Sequence, residues 1–164
     1  MRVASLSWDE QGHPFANDCG DHYFSKHGGL EETRHVFIKG NNLPKAWQDK
    51  VHFVVGETGF GTGLNFLALW HCFRHDTSSL KRLHFVSVEG FPLDQLSLEK
   101  AHALWPELAP YAKELQEKYP PLLEGIHRIE FDEGRVILTL CLGEASTIFP
   151  RLEMKVDAWF LDGF

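Results

Sequence analysis

Glu57-Thr58-Gly59-Phe60-Gly61-Thr62-Gly63 is the stretch of this 164-residue chain in which residue type and spacing speak most directly to chemistry. Glycines at three alternate positions serve a tight turn, a close approach of backbone to a ligand and close packing of a strand against the next helix. That helix would present unpaired N–H groups and the positive end of its dipole to whatever lies in the turn. Spacing narrows the ligand. A triphosphate loop requires Gly-Lys-Ser/Thr, and no Lys follows any of these glycines. A dinucleotide loop requires G-x-G-x-x-G, and the sixth residue counted from Gly59 is Leu64. What stands here is G-x-G-x-G with an acid, Glu57, two residues before the first glycine.

Three further acids fall where an open α/β sheet gathers its ligand. Glu89 closes Val86-Ser87-Val88, the expected second strand, roughly 20 residues or slightly more beyond the glycines, where a carboxylate receives two ribose hydroxyls. Glu144 follows the third core strand, where an acid receives an adenine amino group. Asp162 follows the strand expected over Val156–Leu161, at the carboxyl edge where such sheets do chemistry. Other combinations fall short. His71 and His75 sit four apart beside Cys72, but no carboxylate completes a metal site, and a helix surface accounts for them. Cys19, Cys72 and Cys141 form no C-x-x-C pair and read as reduced thiols acting as small buried hydrophobes. Trp70, Trp105 and Trp159 occupy core-like patterns, and Lys81-Arg82 is too small for a nucleic-acid footprint.

The elements that must position these residues follow from periodicity. Residues 1–50 are irregular, with turns at Gly12, Pro14, Gly28–Gly29, Gly40–Asn42 and Pro44 and strand-like runs such as Arg34–Lys39. They predict an N-terminal extension of hairpins packing on the same domain. From residue 51 onward the pattern predicts a strand at Val51–Val55, an almost wholly apolar helix at Leu64–Phe73 and a second strand at Leu83–Val88. A helix opened by Pro92 should place Leu93, Leu96 and Leu104 on one face, and another over Glu107–Tyr119 should gather Leu108, Ala112, Leu115 and Tyr119. A hairpin over 126–142 turns at Asp132-Glu133-Gly134, followed by a short helix at Ala145–Leu152 and the last strand. This rhythm is that of an α/β fold, Rossmann-like, with a mainly parallel sheet.

Composition sets the outer limits. Apolar residues make up 43% and aromatics 13%, enough core material to exclude disorder. No stretch approaches the roughly 20 apolar residues of a membrane span. Met1–Glu10 lacks the apolar region of a secretory signal, so a cytoplasmic location is expected. Sixteen Lys and Arg against 23 Asp and Glu give a net charge of −7, which argues only weakly against nucleic acid because net charge does not report local patches.

The G-x-G-x-G loop with its upstream acid resembles motif I of class I S-adenosylmethionine (SAM) methyltransferases. Gly28-Gly29-Leu30-Glu31-Glu32-Thr33-Arg34, Glu57 through Leu67, Leu104-Trp105-Pro106-Glu107-Leu108, Asp132-Glu133-Gly134-Arg135-Val136 and Asp157 through Phe164 are together similar to the methyltransferase domain of the MnmC family. The likeness runs through essentially the whole chain. It departs at Glu144, where the family often has Asp, and at Gly28, where Asn is common. The resemblance implies transfer of a methyl group from SAM to the amine of 5-aminomethyl-(2-thio)uridine at the tRNA wobble position. It implies upstream wobble-uridine modification enzymes as functional partners, no membrane and no metal.

By the same likeness, residues 51–164 are the N-terminal part of the methyltransferase domain. The remaining strands of the sheet and an FAD-dependent domain that removes a carboxymethyl group would lie outside the chain, and these residues alone are expected to turn over weakly or not at all. Glu57, Gly59, Gly61, Gly63, Glu89 and Glu144 are then candidates for SAM, Asp162 for the proton of the amine, and Glu31, Glu32 and Thr33 for the cofactor or uridine pocket. A non-catalytic SAM-binding fragment is the alternative. A nucleotide-dependent oxidoreductase is less favoured, since it needs the loop spacing missing here.

Overall fold

The computed structural model describes residues 1–25 and 28–163. At the N-terminus β1 (Leu6–Trp8), β2 (Pro14–Ala16) and β3 (Asp21–His22) make a small antiparallel sheet, the expected hairpins. Next, α1 (Gly29–Glu32) runs on into a wider helical turn over Thr33–Lys39. The strand-like run Arg34–Lys39 is therefore helical. Leu30 and Ile38, eight residues apart, are both buried while Val36 faces solvent, so the apolar residues follow a helical stripe and not a strand's alternation.

The main sheet contains β4 (His52–Thr58), β5 (Arg82–Glu89), β6 (Gly125–Phe131), β7 (Val136–Leu142) and β8 (Ala158–Leu161) in the order β6-β7-β5-β4-β8. All pairings are parallel except β6 with β7, the hairpin the alternation predicts. Between the strands lie α2 (Leu64–His75), α3 (Gln95–His102), α4 (Ala109–Lys118) and α5 (Ala145–Ile148).

Alternation sorts strand residues onto two faces. Phe53 and Val55, Leu83 and Phe85, Leu138 and Leu140, and Ala158 and Phe160 join α2 and α4 in the larger apolar cluster, which also takes in Leu30, Ile38, Leu43 and Trp47 of the N-terminal segment. Val86, Val88 and Cys141 face the other way, onto Ile148. Each fully buried Phe or Leu contributes about 1.5–3 kcal/mol, so the lower part of the sheet is held firmly and its upper ends are free to carry polar groups. Buried Trp70 on α2 donates its indole N–H to Asp132 Oδ2 at 2.9 Å, which pins the β6–β7 turn to that helix.

Three expectations need correction. Leu96 is 76% exposed, because α3 starts at Gln95 behind an Asp94 cap that accepts the Ser97 N–H at 2.7 Å. Pro92 and Leu93 precede the helix, and Leu98, Ala101 and His102 form its buried side. Trp159 is 42% exposed on the outer face of edge strand β8, its ring lying over Gly56, where a Cβ would come within 2.7 Å of it. Cys19 is exposed, while Cys72 is half-buried and Cys141 buried; all three are free. Among the described residues no helix is long and apolar enough to cross a membrane.

Candidate functional site

The polar site is the upper end of the face whose lower part is apolar core. On β4 the residues Phe53, Val55 and Glu57 point to the α2 side, and on β5 Leu83, Phe85 and Ser87 do so. Glu57 lies directly opposite Ser87 in the register, and the Ser87 hydroxyl donates to Glu57 Oε2 at 2.6 Å. The chain then leaves β4 through the glycine loop. Gly59, Gly61 and Gly63 have φ values of +81°, +52° and +74°, a backbone that other residues adopt only with strain. A Cβ on Gly59 would come 2.7 Å from Gly163 Cα, and one on Gly61 would come 3.0 Å from the Tyr23 ring. The loop is thus clamped between the end of β8 and the N-terminal segment.

Asn65, in the first turn of α2, ties the ends together. Its amide nitrogen donates to Glu57 Oε1 at 3.0 Å and to Asp162 Oδ2 at 2.9 Å, and its oxygen accepts from the Thr33 hydroxyl at 2.8 Å. Burial pushes the Glu57 carboxyl well above the ordinary carboxylate range, against the pull of the Ser87 and Asn65 hydrogen bonds, and the charges of Asp162 and Glu89 add to the push. Asp162 stands on the rim, exposed on one side and packed on the other. Partial burial raises its pKa, Asn65 opposes this, and Glu32 adds to it. Glu89 receives the Gly61 N–H on Oε2 at 2.8 Å and the Phe91 N–H on Oε1 at 2.7 Å, which locks the end of β5 to the loop.

Above these residues opens a cavity of about 810 Å³. Of the residues singled out from sequence, Gly59, Gly61, Glu89, Glu144, Asp162, Glu32 and Thr33 line it. Glu57 and Gly63 do not: Glu57 sits behind the wall holding Asn65, and Gly63 serves as the left-handed residue that opens α2. Glu31 turns away to pair with Arg34 at 2.6 Å. Gly163 lies on the cavity wall, and Phe164 lies outside the described residues. Three contributors were missed in the sequence. Asn65 and Ser87 are lone polar residues inside otherwise buried apolar runs, a legible signal; Tyr23, which covers Gly61, carried none.

The wall is predominantly acidic, although Asp18 is paired with Arg2. Asp18, Asp21, Glu32, Glu89, Glu144 and Asp162 face the cavity, and no Lys or Arg does so among the described residues. Such a wall repels phosphates and attracts cations. SAM, a sulfonium carrying an ammonium, fits that field. Among the described residues no group of three or more His, Cys, Asp or Glu is arranged to hold a metal ion.

Comparison with known proteins agrees with this picture. A family model described as S-adenosyl-L-methionine-dependent methyltransferase matches residues 106–164. The chain is 51% identical over 164 residues to the tRNA 5-methylaminomethyl-2-thiouridine biosynthesis bifunctional protein MnmC of Ectopseudomonas mendocina, covering 98% of this chain and 25% of that protein. The MnmC of Aromatoleum aromaticum is likewise 51% identical, over 161 residues, with the same coverage. The chain thus spans about a quarter of the length of the curated relatives it matches. In three dimensions it resembles the crystal structure of MNMC2 from Aquifex aeolicus with a TM-score of 0.67 and 22% identity, covering all of this chain and 50% of that one, a likeness of fold.

Proposed function

Starting from a chain that matches part of MnmC, we propose that it supplies the SAM-binding site of a methyltransferase acting on the primary amine of a 5-aminomethyl-(2-thio)uridine at the wobble position of tRNA, and that these 164 residues alone turn over weakly or not at all. The observation that carries this reading is the cavity wall of six carboxylates without Lys or Arg among the described residues, at the C-terminal edge of a parallel sheet. Both reactants it would hold are cationic, the sulfonium and the alkylammonium.

SAM, when bound, supplies an electrophilic methyl group. Gly59 and Gly61 line the cavity where its amino-acid end would lie, Glu89 would receive the ribose hydroxyls, and Glu144, at the start of α5, is assigned to the adenine. Glu57 acts from behind, by holding Asn65. A primary amine is mostly protonated near neutral pH and attacks only after losing a proton, with nitrogen about 3 Å from the methyl carbon. Asp162 takes that proton. Its raised pKa makes it a better match for an amine than an ordinary carboxylate. Glu32 and Thr33 line the same cavity and are assigned to the cofactor or uridine pocket. FAD chemistry is assigned to no residue of this chain, and a tRNA substrate places the protein in the cytoplasm.

Calorimetry on the intact protein should detect SAM binding and no binding of NAD. With aminomethyluridine-bearing tRNA and radiolabelled SAM, label should enter the tRNA, and Asp162→Asn should slow single-turnover transfer about 100-fold or more. Undiminished transfer by that variant rules out Asp162 as proton acceptor; NAD binding in place of SAM rules out the methyltransferase reading.

A further inference from the structure

We propose that Asn65 is the positioning residue that aims the Asp162 carboxylate and keeps its affinity for protons within a working range. The proposal rests on the reading of Asp162 as the proton acceptor. Asn65 brings together three segments remote in sequence: Thr33 from the N-terminal helix, Glu57 from β4 and Asp162 from the end of β8. Its partners dictate how the amide is turned. The Asp162 carboxylate needs a donor, so one N–H faces it and the other faces Glu57 Oε1, and the amide oxygen is left for the Thr33 hydroxyl. The amide cannot flip without setting its oxygen against a carboxylate. Because Asn65 is buried and sits on the first turn of α2, this orientation is rigid.

The consequence falls on Asp162. Its Oδ2 is held by Asn65, while Oδ1 has no protein partner among the described residues, and the side chain lines the cavity. Among the described residues the charge that acts on it most directly is that of Glu32 of α1, with Glu57 of β4 reached through Asn65 and Glu89 acting on Glu57 in turn; His22 and Tyr23 line the same cavity. Without the Asn65 N–H, Asp162 faces like charge and a desolvated wall. It would hold its own proton more tightly and be less available to accept the substrate's. Glu57 has a related part, since its Oε1 accepts the second N–H and fixes the angle of the first. An apolar residue at position 65 would fill the space but supply none of this, so a packing role and a positioning role can be told apart.

The test uses the intact protein with Asn65→Ala and Asn65→Asp, the latter nearly isosteric in case the former fails to fold. Carbon-13 NMR titration of aspartate carboxyls, assigned through Asp162→Asn, reads the Asp162 proton affinity without ligand. Both variants should raise that affinity more than tenfold and lower kcat about tenfold or more. The SAM dissociation constant should change less than threefold. A wild-type titration and a kcat within twofold of wild type in both variants overturn the positioning role. A shifted titration combined with undiminished turnover by Asp162→Asn instead overturns the acceptor reading while supporting the hold of Asn65 on the carboxylate.

Discussion

His102 Nε2 lies 2.7 Å from the carbonyl oxygen of Thr62, the residue between Gly61 and Gly63. The carbonyl can only accept, so Nε2 carries the hydrogen, and Nδ1 receives the Gln116 side-chain amide at 2.8 Å. A buried imidazole on α3 therefore joins the back of the glycine loop to α4. Burial lowers its pKa, with the Thr62 hydrogen bond opposing. Neutral His102 satisfies both partners.

Replacing His102 by Leu leaves the Thr62 carbonyl and the Gln116 amide without partners, at a cost of about 1–3 kcal/mol. The variant should melt at a lower temperature and bind SAM more weakly, by about tenfold. The sign of the pH effect follows from the depressed folded pKa. Unfolded chains take up a proton near the ordinary value of 6.5 and the native chain does not. The His102 contribution is thus whole above that value and is lost as pH falls through the folded one. Melting temperatures of wild type and variant should converge on acidification; a gap that widens in acid contradicts the neutral tautomer.

Glu57 has the opposite sign. Its raised pKa means that folding favours the protonated acid, so its contribution is whole below its ordinary value of 4.5 and is lost as pH rises through the folded one. Glu57→Gln keeps the shape and cannot ionise: its oxygen can accept from Asn65 and its nitrogen can donate to Ser87. This variant should lose less stability than wild type as pH rises, whereas Glu57→Ala should cost about 1–3 kcal/mol by stranding Asn65 and Ser87. Urea denaturation across pH separates the two. Equal pH slopes in wild type and Glu57→Gln would show that Glu57 keeps an ordinary pKa.

Gly59→Ala tests the clamp on the loop. At φ +81° a side chain costs about 1–2 kcal/mol, and its Cβ would press on Gly163 Cα at 2.7 Å and on the Asp162 carbonyl oxygen at 3.2 Å. The melting temperature should fall by about 2–4 °C for each kcal/mol, and SAM-induced stabilisation should shrink with the lost affinity. Gly90→Ala is the control, with nothing nearer its Cβ than the Gly143 carbonyl oxygen at 4.0 Å, and its melting temperature should stay at the wild-type value.

Much of this arrangement was legible in the residues because it is local. The β6–β7 hairpin and the strand–loop–helix around Gly59 depend on neighbours a few positions away, and both stand where periodicity and turn chemistry place them. Burial was harder to read. Leu96 looked like a core residue until the Asp94 cap set the phase of α3, and Val36 lay in a run that suits a strand until Leu30 and Ile38 found a common core. Trp159 lies on the outer face of β8, and only the pairing of β8 with β4 sets its ring over Gly56.

By itself the sequence determined the α/β class, the glycine loop and the acids at strand ends, because strands of period two and glycines at positive φ need no distant partner. Only the tertiary structure decided where those acids sit and what they pair with. It set Glu57 behind the wall and Glu89 on the Gly61 N–H, turned Glu31 outward, and closed Thr33, Glu57 and Asp162 around Asn65. The reason is physical: a buried polar group must find its partners in space, and partners as far apart in sequence as Thr33 and Asp162 meet only once the sheet has brought its C-terminal edge together.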